Sequence, residues 1–298
     1  MQKINLTILL IFTSLVTFSQ TIRSSTLYDL ELIPIKGSQF VMGSNDLNKN
    51  DFIIDRPQHK VILSSFNISK NEITYRQFKE FINSSNFITD AEKDGTALIW
   101  DLNNNKYSTK EGISWKNNEF GSLQLNENMP VVYISHNDAI AFCNWLSIKE
   151  NKVYRLPTEA EWEYSAGGGN SDERTRFGNG KNFLEPSDAN FNSFTKDKFS
   201  NKGNFPDRLT RVGTYNANQL GLNDMVGNVY EWVSDFFDRK YYQESEPTNP
   251  KGPISGTFKI IRGGSWLTPS SSCLITSRFY YGATASTCEI GFRVVLEK

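Results

Sequence analysis

The strongest constellation for chemistry is the run Asp224-Met-Val-Gly-Asn-Val-Tyr-Glu231. A hard cation such as calcium takes several oxygens, from carboxylates and from the carbonyls of a tight turn. Two carboxylates seven residues apart around Val226-Gly-Asn228 can wrap one ion. Gly227 permits the backbone angle that such a turn needs, and carbonyls around Gly227 and Val229 would complete the shell. Sulfur chemistry is confined to Cys143, Cys273 and Cys288. In an oxidising compartment that odd number leaves a thiol unpaired unless it bonds another chain. The only histidines are His59 and His136, so a three-histidine iron or zinc centre cannot be built. His136, in the first turn of a helix, reads as a packing or hydrogen-bonding group. His59, on a strand, reads as structural. Glu159, Glu161 and Glu163 have the look of paired acid–base carboxylates, but Glu161 has a capping task that explains it. The spacings contain no catalytic triad, P-loop or dinucleotide fingerprint.

Three helix starts carry a hydroxyl followed three residues later by a reciprocating side chain, the capping-box pattern. Thr74 with Gln77 opens a helix burying Phe78, Phe81 and Ile82. Ser135 with Asp138 opens one burying Ile140, Cys143 and Leu146. Thr158 with Glu161 opens a third, carrying Trp162 and ending at Gly167-Gly-Gly169. Strands are predicted over Leu32–Phe40, ending in a turn at Val41-Met-Gly-Ser44, and over His59–Phe66, Phe258–Arg262 and Phe292–Leu296. Residues 91–129, rich in Asn and Lys, read as a long insertion. The aperiodic stretch from Gly169 to Gly221 reads as a loop of a length that usually signals function or a bound ion.

The first 20 residues hold one cation, a short apolar run from Leu6 to Val16 and a small-residue exit, the pattern of a secretory signal peptide. The run is shorter than the ~20 residues a membrane anchor needs, so a periplasmic or secreted protein starting near Thr21 is expected, with no transmembrane anchor. Residues 21–30 form a polar leader and 31–298 a single domain. A net charge of −1 with no basic cluster argues against nucleic acid and against electrostatic membrane binding.

Eight ordered segments carry a family likeness. They are Arg56-Pro-Gln-His59, Asn71-Glu-Ile-Thr74, Pro130-Val-Val-Tyr-Ile-Ser135 and Arg155-Leu-Pro-Thr-Glu-Ala-Glu-Trp-Glu-Tyr164. They continue through Phe177-Gly-Asn179, Gly221-Leu-Asn-Asp-Met-Val-Gly-Asn-Val-Tyr-Glu-Trp232, Arg262-Gly-Gly-Ser-Trp266 and Gly291-Phe-Arg293. In this order the chain resembles the formylglycine-generating-enzyme, or sulfatase-modifying-factor, family. The resemblance implies an α+β, variant C-type-lectin-like fold of small antiparallel sheets, flanking helices, much irregular loop and structural calcium. It implies one calcium site at the Asp224 and Glu231 side chains with the Gly227 and Val229 carbonyls. A second is implied at Asn190, the Phe191 carbonyl, Asn204 and the Pro206 carbonyl, an asparagine standing where the family often has aspartate.

Active members of the family bind copper(I) through two thiolates five residues apart after the Gly-Gly-Ser turn. Here Cys273 matches the second thiolate and Thr268 stands in place of the first. A hard hydroxyl does not suit Cu(I), so copper is not expected. Ser265, Trp266 and Cys273 are the catalytic candidates, beside Trp232 and Arg278. The family's disulfide partner by Gly-Phe-Arg is Val294 here, which leaves Cys143 unpaired; a Cys143–Cys288 bridge stays conceivable. Arg155, Arg278 and Arg293 are expected to form ion pairs beneath the groove. The resemblance leaves three functions open. One is an oxygen-dependent oxidoreductase acting on a small molecule or peptide. Another is a binding or assembly module partnering an envelope protein, as in secretion or gliding machinery. The last, oxidation of a sulfatase cysteine, needs both thiols.

Overall fold

The computed structural model describes residues 30–45, 54–169, 174–194 and 196–298; the signal-peptide expectation lies outside them. All three expected capping boxes are present. They open α1 (Tyr75–Ser85), α3 (His136–Glu150) and α4 (Glu159–Ala166), each with the hydroxyl and the third-residue side chain bonded reciprocally. A fourth box, Thr89 with Glu92, opens the short α2 (Asp90–Asp94) and went unread in the sequence. No helix among the described residues is long and apolar enough to cross a membrane.

The expected strands hold in composition but break where the chain changes sheet. Leu32–Phe40 divides into β1 (Leu32–Ile35) and β2 (Gln39–Met42). A first break falls before Gln39, and Val41 and Met42 stay in register with Lys60 and His59, so of the expected turn only Gly43, with φ +86°, bends the chain. His59–Phe66 likewise divides into β3 (His59–Ile62), which pairs with β2, and β4 (Phe66–Ser69), which pairs with β1. At the C-terminus β11 (Ile290–Phe292) joins one sheet and β12 (Val295–Leu296) another. Arg293 therefore sits at the crossing point between sheets.

One four-stranded sheet runs β1-β4-β12-β7, with β7 spanning Tyr154–Arg155. The other runs β10-β9-β8-β11, from β8 (Tyr230–Phe236), β9 (Phe258–Arg262) and β10 (Phe279–Gly282). The ladders are antiparallel except for β8 with β11, which is parallel, a correction to the all-antiparallel expectation. Aromatic rings pack α1 and α3 onto this frame: Phe78 and Phe142 each lie 5.3–6.4 Å, centroid to centroid, from one another and from Phe81 and Phe292. Each fully buried Phe contributes about 1.5–3 kcal/mol of burial.

The 91–129 segment is more than an appendage. It begins inside α2 and forms the hairpin β5 (Thr96–Asp101) and β6 (Lys106–Glu111). Trp115 returns into the main core, 5.8 Å from Phe78. The hairpin is pinned to the C-terminal region, Leu98 N donating to the Ser286 carbonyl and Cys288 N to that of Leu98.

Candidate functional site

Around Asp224 the fold buries three carboxylates against one guanidinium. Glu231, on β8, accepts two bonds from Arg293, Nε to Oε2 at 2.6 Å and Nη2 to Oε1 at 2.7 Å. Trp162 Nε1 donates to the same Oε2 at 2.8 Å. Asp224 Oδ2 accepts from Gly213 N at 2.6 Å, but its Oδ1 is buried with no hydrogen-bond partner. Glu72 is also buried and is held by Asn228 Nδ2 at 3.0 Å. Burial first, then Asp224 and Glu231, hold the Glu72 carboxyl well above its ordinary range. Burial likewise lifts Asp224 to about 6. An excess of buried negative charge is expensive unless something neutralises it.

The backbone there is contorted as the sequence required. Gly227 has φ +71°, and a Cβ on it would lie 2.1 Å from the Asn190 carbonyl oxygen. That close approach joins the two expected cation sites, since Asn228 N also donates to the Asn190 carbonyl at 2.8 Å. Asn190 is buried, its Nδ2 bonded to the Arg208 carbonyl and to Asn228 Oδ1, both at 3.0 Å. Its Oδ1 has no partner. Gly203 N donates to the Ser193 carbonyl, which ties the stretch leading to Asn204 and Pro206 to the end of the Asn190–Ser193 segment; Asn204 itself is exposed.

The second candidate centre follows β9. Gly264 has φ +79°, and a Cβ there would fall 2.3 Å from Cys273 Sγ; only glycine lets the turn close over the thiol. Thr268 Oγ1 stands 3.6 Å from that sulfur. The same hydroxyl accepts from Ser265 N at 2.9 Å and donates to the Ser265 carbonyl at 3.1 Å, so it staples its own turn. Cys273 is 1% exposed, and burial pushes its thiol up to about 12. Ser265 Oγ donates to Glu289, which also accepts from the Tyr107 hydroxyl of β6. Burial raises the Glu289 carboxyl. Trp266 turns away from the thiol: its indole donates to the Cys288 carbonyl at 3.4 Å and meets Phe120 edge-on. Of the three catalytic candidates, Ser265 and Cys273 thus meet around Thr268, and Trp266 does not join them.

Residues 20–298 match the model of the sulfatase-modifying factor enzyme 1-like domain. The chain is 31% identical to the formylglycine-generating enzyme of Mus musculus, the match covering 88% of this chain and 74% of the mouse protein. It is 30% identical to that of Streptomyces coelicolor, over 88% and 87%. Among solved structures, PvdO from Pseudomonas aeruginosa superposes with a TM-score of 0.70 at 24% identity, over 90% of this chain and 95% of PvdO.

The chain belongs to the sulfatase-modifying-factor family. Its α+β fold, with small sheets, few helices and long loops, is the one that membership implies. The copper pair that the family resemblance implies does not fit here. Thr268 supplies a hydroxyl engaged in its own turn, so only one thiol stands where the pair requires two. All three cysteines are free and buried, which excludes the Cys143–Cys288 bridge in this structure. Cys143 lies in one core cluster with Val294, Cys288 in another with Trp266.

Calcium fits in part: Asp224 and Asn190 keep unpartnered oxygens, whereas both oxygens of Glu231 are taken by Arg293. Among the described residues no three His, Cys, Asp or Glu side chains converge as a metal cluster on their own. The implied sites do not require that, because half of their ligands are carbonyls. The oxygens left without partners, Asp224 Oδ1 and Asn190 Oδ1, belong one to each site. Glu72, Asn228, Glu289 and Tyr107 were missed in the sequence. Glu72 was within reach, since it lies in the quoted Asn71-Glu-Ile-Thr74 segment. Tyr107 carried no signal, because nothing local says that the insertion folds back.

The helix carboxylates are structural. Glu159 pairs with Arg278 at 2.7 Å, Glu161 with Arg155 at 2.6 Å, and Glu163 with Arg262 at 2.5 Å and Arg174 at 2.6 Å. His136 donates from Nε2 to the Val233 carbonyl and meets Trp232 edge-on, the packing role expected of it.

Proposed function

We propose that this chain is an exported sulfatase-modifying-factor domain, braced by structural calcium, that does not oxidise cysteine with copper. It acts as a binding or assembly module, with a small molecule, a peptide or an envelope protein as the partner. The observation that carries this reading is the Thr268 hydroxyl, stapled into its own turn beside the buried Cys273 thiol. A second reading, a copper-free oxidoreductase on a small molecule or peptide, is favoured by one feature. The buried Glu289 carboxyl, bonded to Ser265 and Tyr107, is a group suited to hold or release a proton.

The test is metal content. Protein beginning at Thr21 is incubated anaerobically with Cu(I) and with calcium, as wild type and as Cys273→Ser. Calcium without stoichiometric copper is expected in both. Copper near one per chain, lost on Cys273→Ser, would overturn the proposal.

A further inference from the structure

Away from both centres, the outer face of α3 and the far ends of β8 and β9 border a depression of about 520 Å³ that lies open to solvent. That is the size of a small-molecule site. More of its exposed lining is apolar than polar; the polar groups come from His136, Asn137, Asn144, Ser234 and Lys259, with Ile140 and Ala141 between them.

Lys259 is the informative residue. Only 9% of it is exposed, and its Nζ donates to the Ser234 carbonyl at 2.7 Å and sits 3.4 Å from the Phe236 ring centroid. It makes no ion pair among the described residues. An ammonium has three donors, so this buried cation keeps capacity for an anion. Burial lowers the Lys259 ammonium, and the Asp235 carboxyl, which follows Ser234 on β8, offsets this in part, but the two form no direct ion pair. That carboxyl accepts from Glu159 N and from Ser234 Oγ, both at 2.9 Å, and burial lifts it to about 7.

The other lining groups ask for hydroxyls. His136 Nε2 faces a carbonyl at 3.1 Å and must carry the hydrogen. Burial, with Lys259 next in effect, lowers the imidazole to about 3, so the ring is neutral and Nδ1 is an acceptor. Asn144, exposed on α3, makes no hydrogen bond among the described residues and offers both donor and acceptor. Asn137 Nδ2 is spent on Asp90 at 2.9 Å, which leaves its carbonyl oxygen to accept. A fatty acid would waste these groups, and a neutral sugar would waste the cation.

We infer that this depression binds a hydroxylated carboxylic acid of sugar-acid size, its carboxylate on Lys259 and its hydroxyls on His136, Asn137 and Asn144. The C–H face of such a molecule would lie against Ile140 and Ala141. This site is independent of the proposal made for the Gly-Gly-Ser turn.

Calorimetric titration of the calcium-loaded chain tests it, with D-glucuronate as probe and D-glucose and hexanoate as controls. Saturable glucuronate binding is expected, weakened about tenfold or more in glucose, in hexanoate and in Lys259→Met, as loss of a charge-assisted bond or of several neutral ones requires. Asn144→Trp, which fills the depression from the exposed helix face, should abolish binding without lowering the thermal midpoint. That variant decides the matter if Lys259→Met fails to fold. Glucose or hexanoate binding as tightly as glucuronate, no saturation, or unchanged binding in Asn144→Trp would overturn the inference.

Discussion

The Asp224 cluster and the Gly-Gly-Ser turn lie in the same family domain, are both buried, and have diverged in opposite ways. The cluster keeps more negative charge than its single arginine can balance, and it leaves Asp224 Oδ1 without a partner. Around the turn every polar group is spent. Thr268 closes the turn, Glu289 takes two hydroxyls, and the thiol is sealed beneath Gly264. A site that holds loops together must keep its ligands, because the irregular backbone between Gly169 and Gly221 cannot offset its own ordering entropy. A site for chemistry can lose one ligand and still fold, provided that the newcomer completes the local hydrogen bonding. Thr268 does so.

Removing calcium should break the first half of this comparison most visibly. Stabilisation by a ligand follows RT ln(1 + [L]/Kd), about 3–4 kcal/mol at 100–1,000 times Kd. For a chain of this size the unfolding midpoint should fall by roughly 10 °C in a chelator and recover with calcium. Asp224→Asn sharpens the test by reversing sign. In calcium it should be less stable than wild type, since a charged ligand is gone. In chelator it should be at least as stable, since Glu72 and Glu231 have lost a like-charged neighbour. Equal behaviour of the two proteins in both buffers would mean that no cation is held there.

Thr268→Cys tests the other half. If the missing thiol is all that separates the turn from a copper site, this variant should take up about one Cu(I) per chain where wild type takes none. The exchange removes the bond from Ser265 N to the Thr268 hydroxyl, so a stability loss of about 1 kcal/mol should accompany it. A variant that folds but stays copper-free would show that closure of the turn over Cys273, and not ligand identity alone, excludes the metal.

What the sequence disclosed follows the same division. Capping boxes at Thr74, Ser135 and Thr158 were legible because their partners lie three residues away. The Asp224–Glu231 turn was legible because one segment carries both carboxylates and the glycine. Strand breaks at Gly37 and Arg293 were hidden, because a chain that changes sheet keeps the same apolar composition on either side. Contacts between distant segments were hidden more deeply. Glu72 reaches Asn228 across 156 positions, and Tyr107 reaches Glu289 across 182.

The smallest effect expected concerns that last contact, and it separates a carboxyl that waits for a cation from one already satisfied. The Glu289 carboxyl is raised above its ordinary value of 4.5, chiefly by burial. The folded state therefore binds a proton more tightly than the unfolded chain does at this position. Its contribution to stability is full below about 4.5 and is lost as pH rises through the folded value. Glu289→Gln, which keeps an acceptor for Ser265 and Tyr107, should remove that dependence. Unfolding midpoints in chelator across mildly acidic to neutral pH should fall less steeply for the variant than for wild type. Tyr107→Phe deletes one donor to the carboxylate, which favours the protonated form further, so the loss should continue to higher pH and the midpoint at neutral pH should drop by a few degrees, about 1 kcal/mol. Identical pH profiles for wild type and Glu289→Gln would mean that the carboxyl is ionised in the fold throughout. The turn would then hold an unneutralised charge just as the Asp224 cluster does, and the contrast between the two regions would fail.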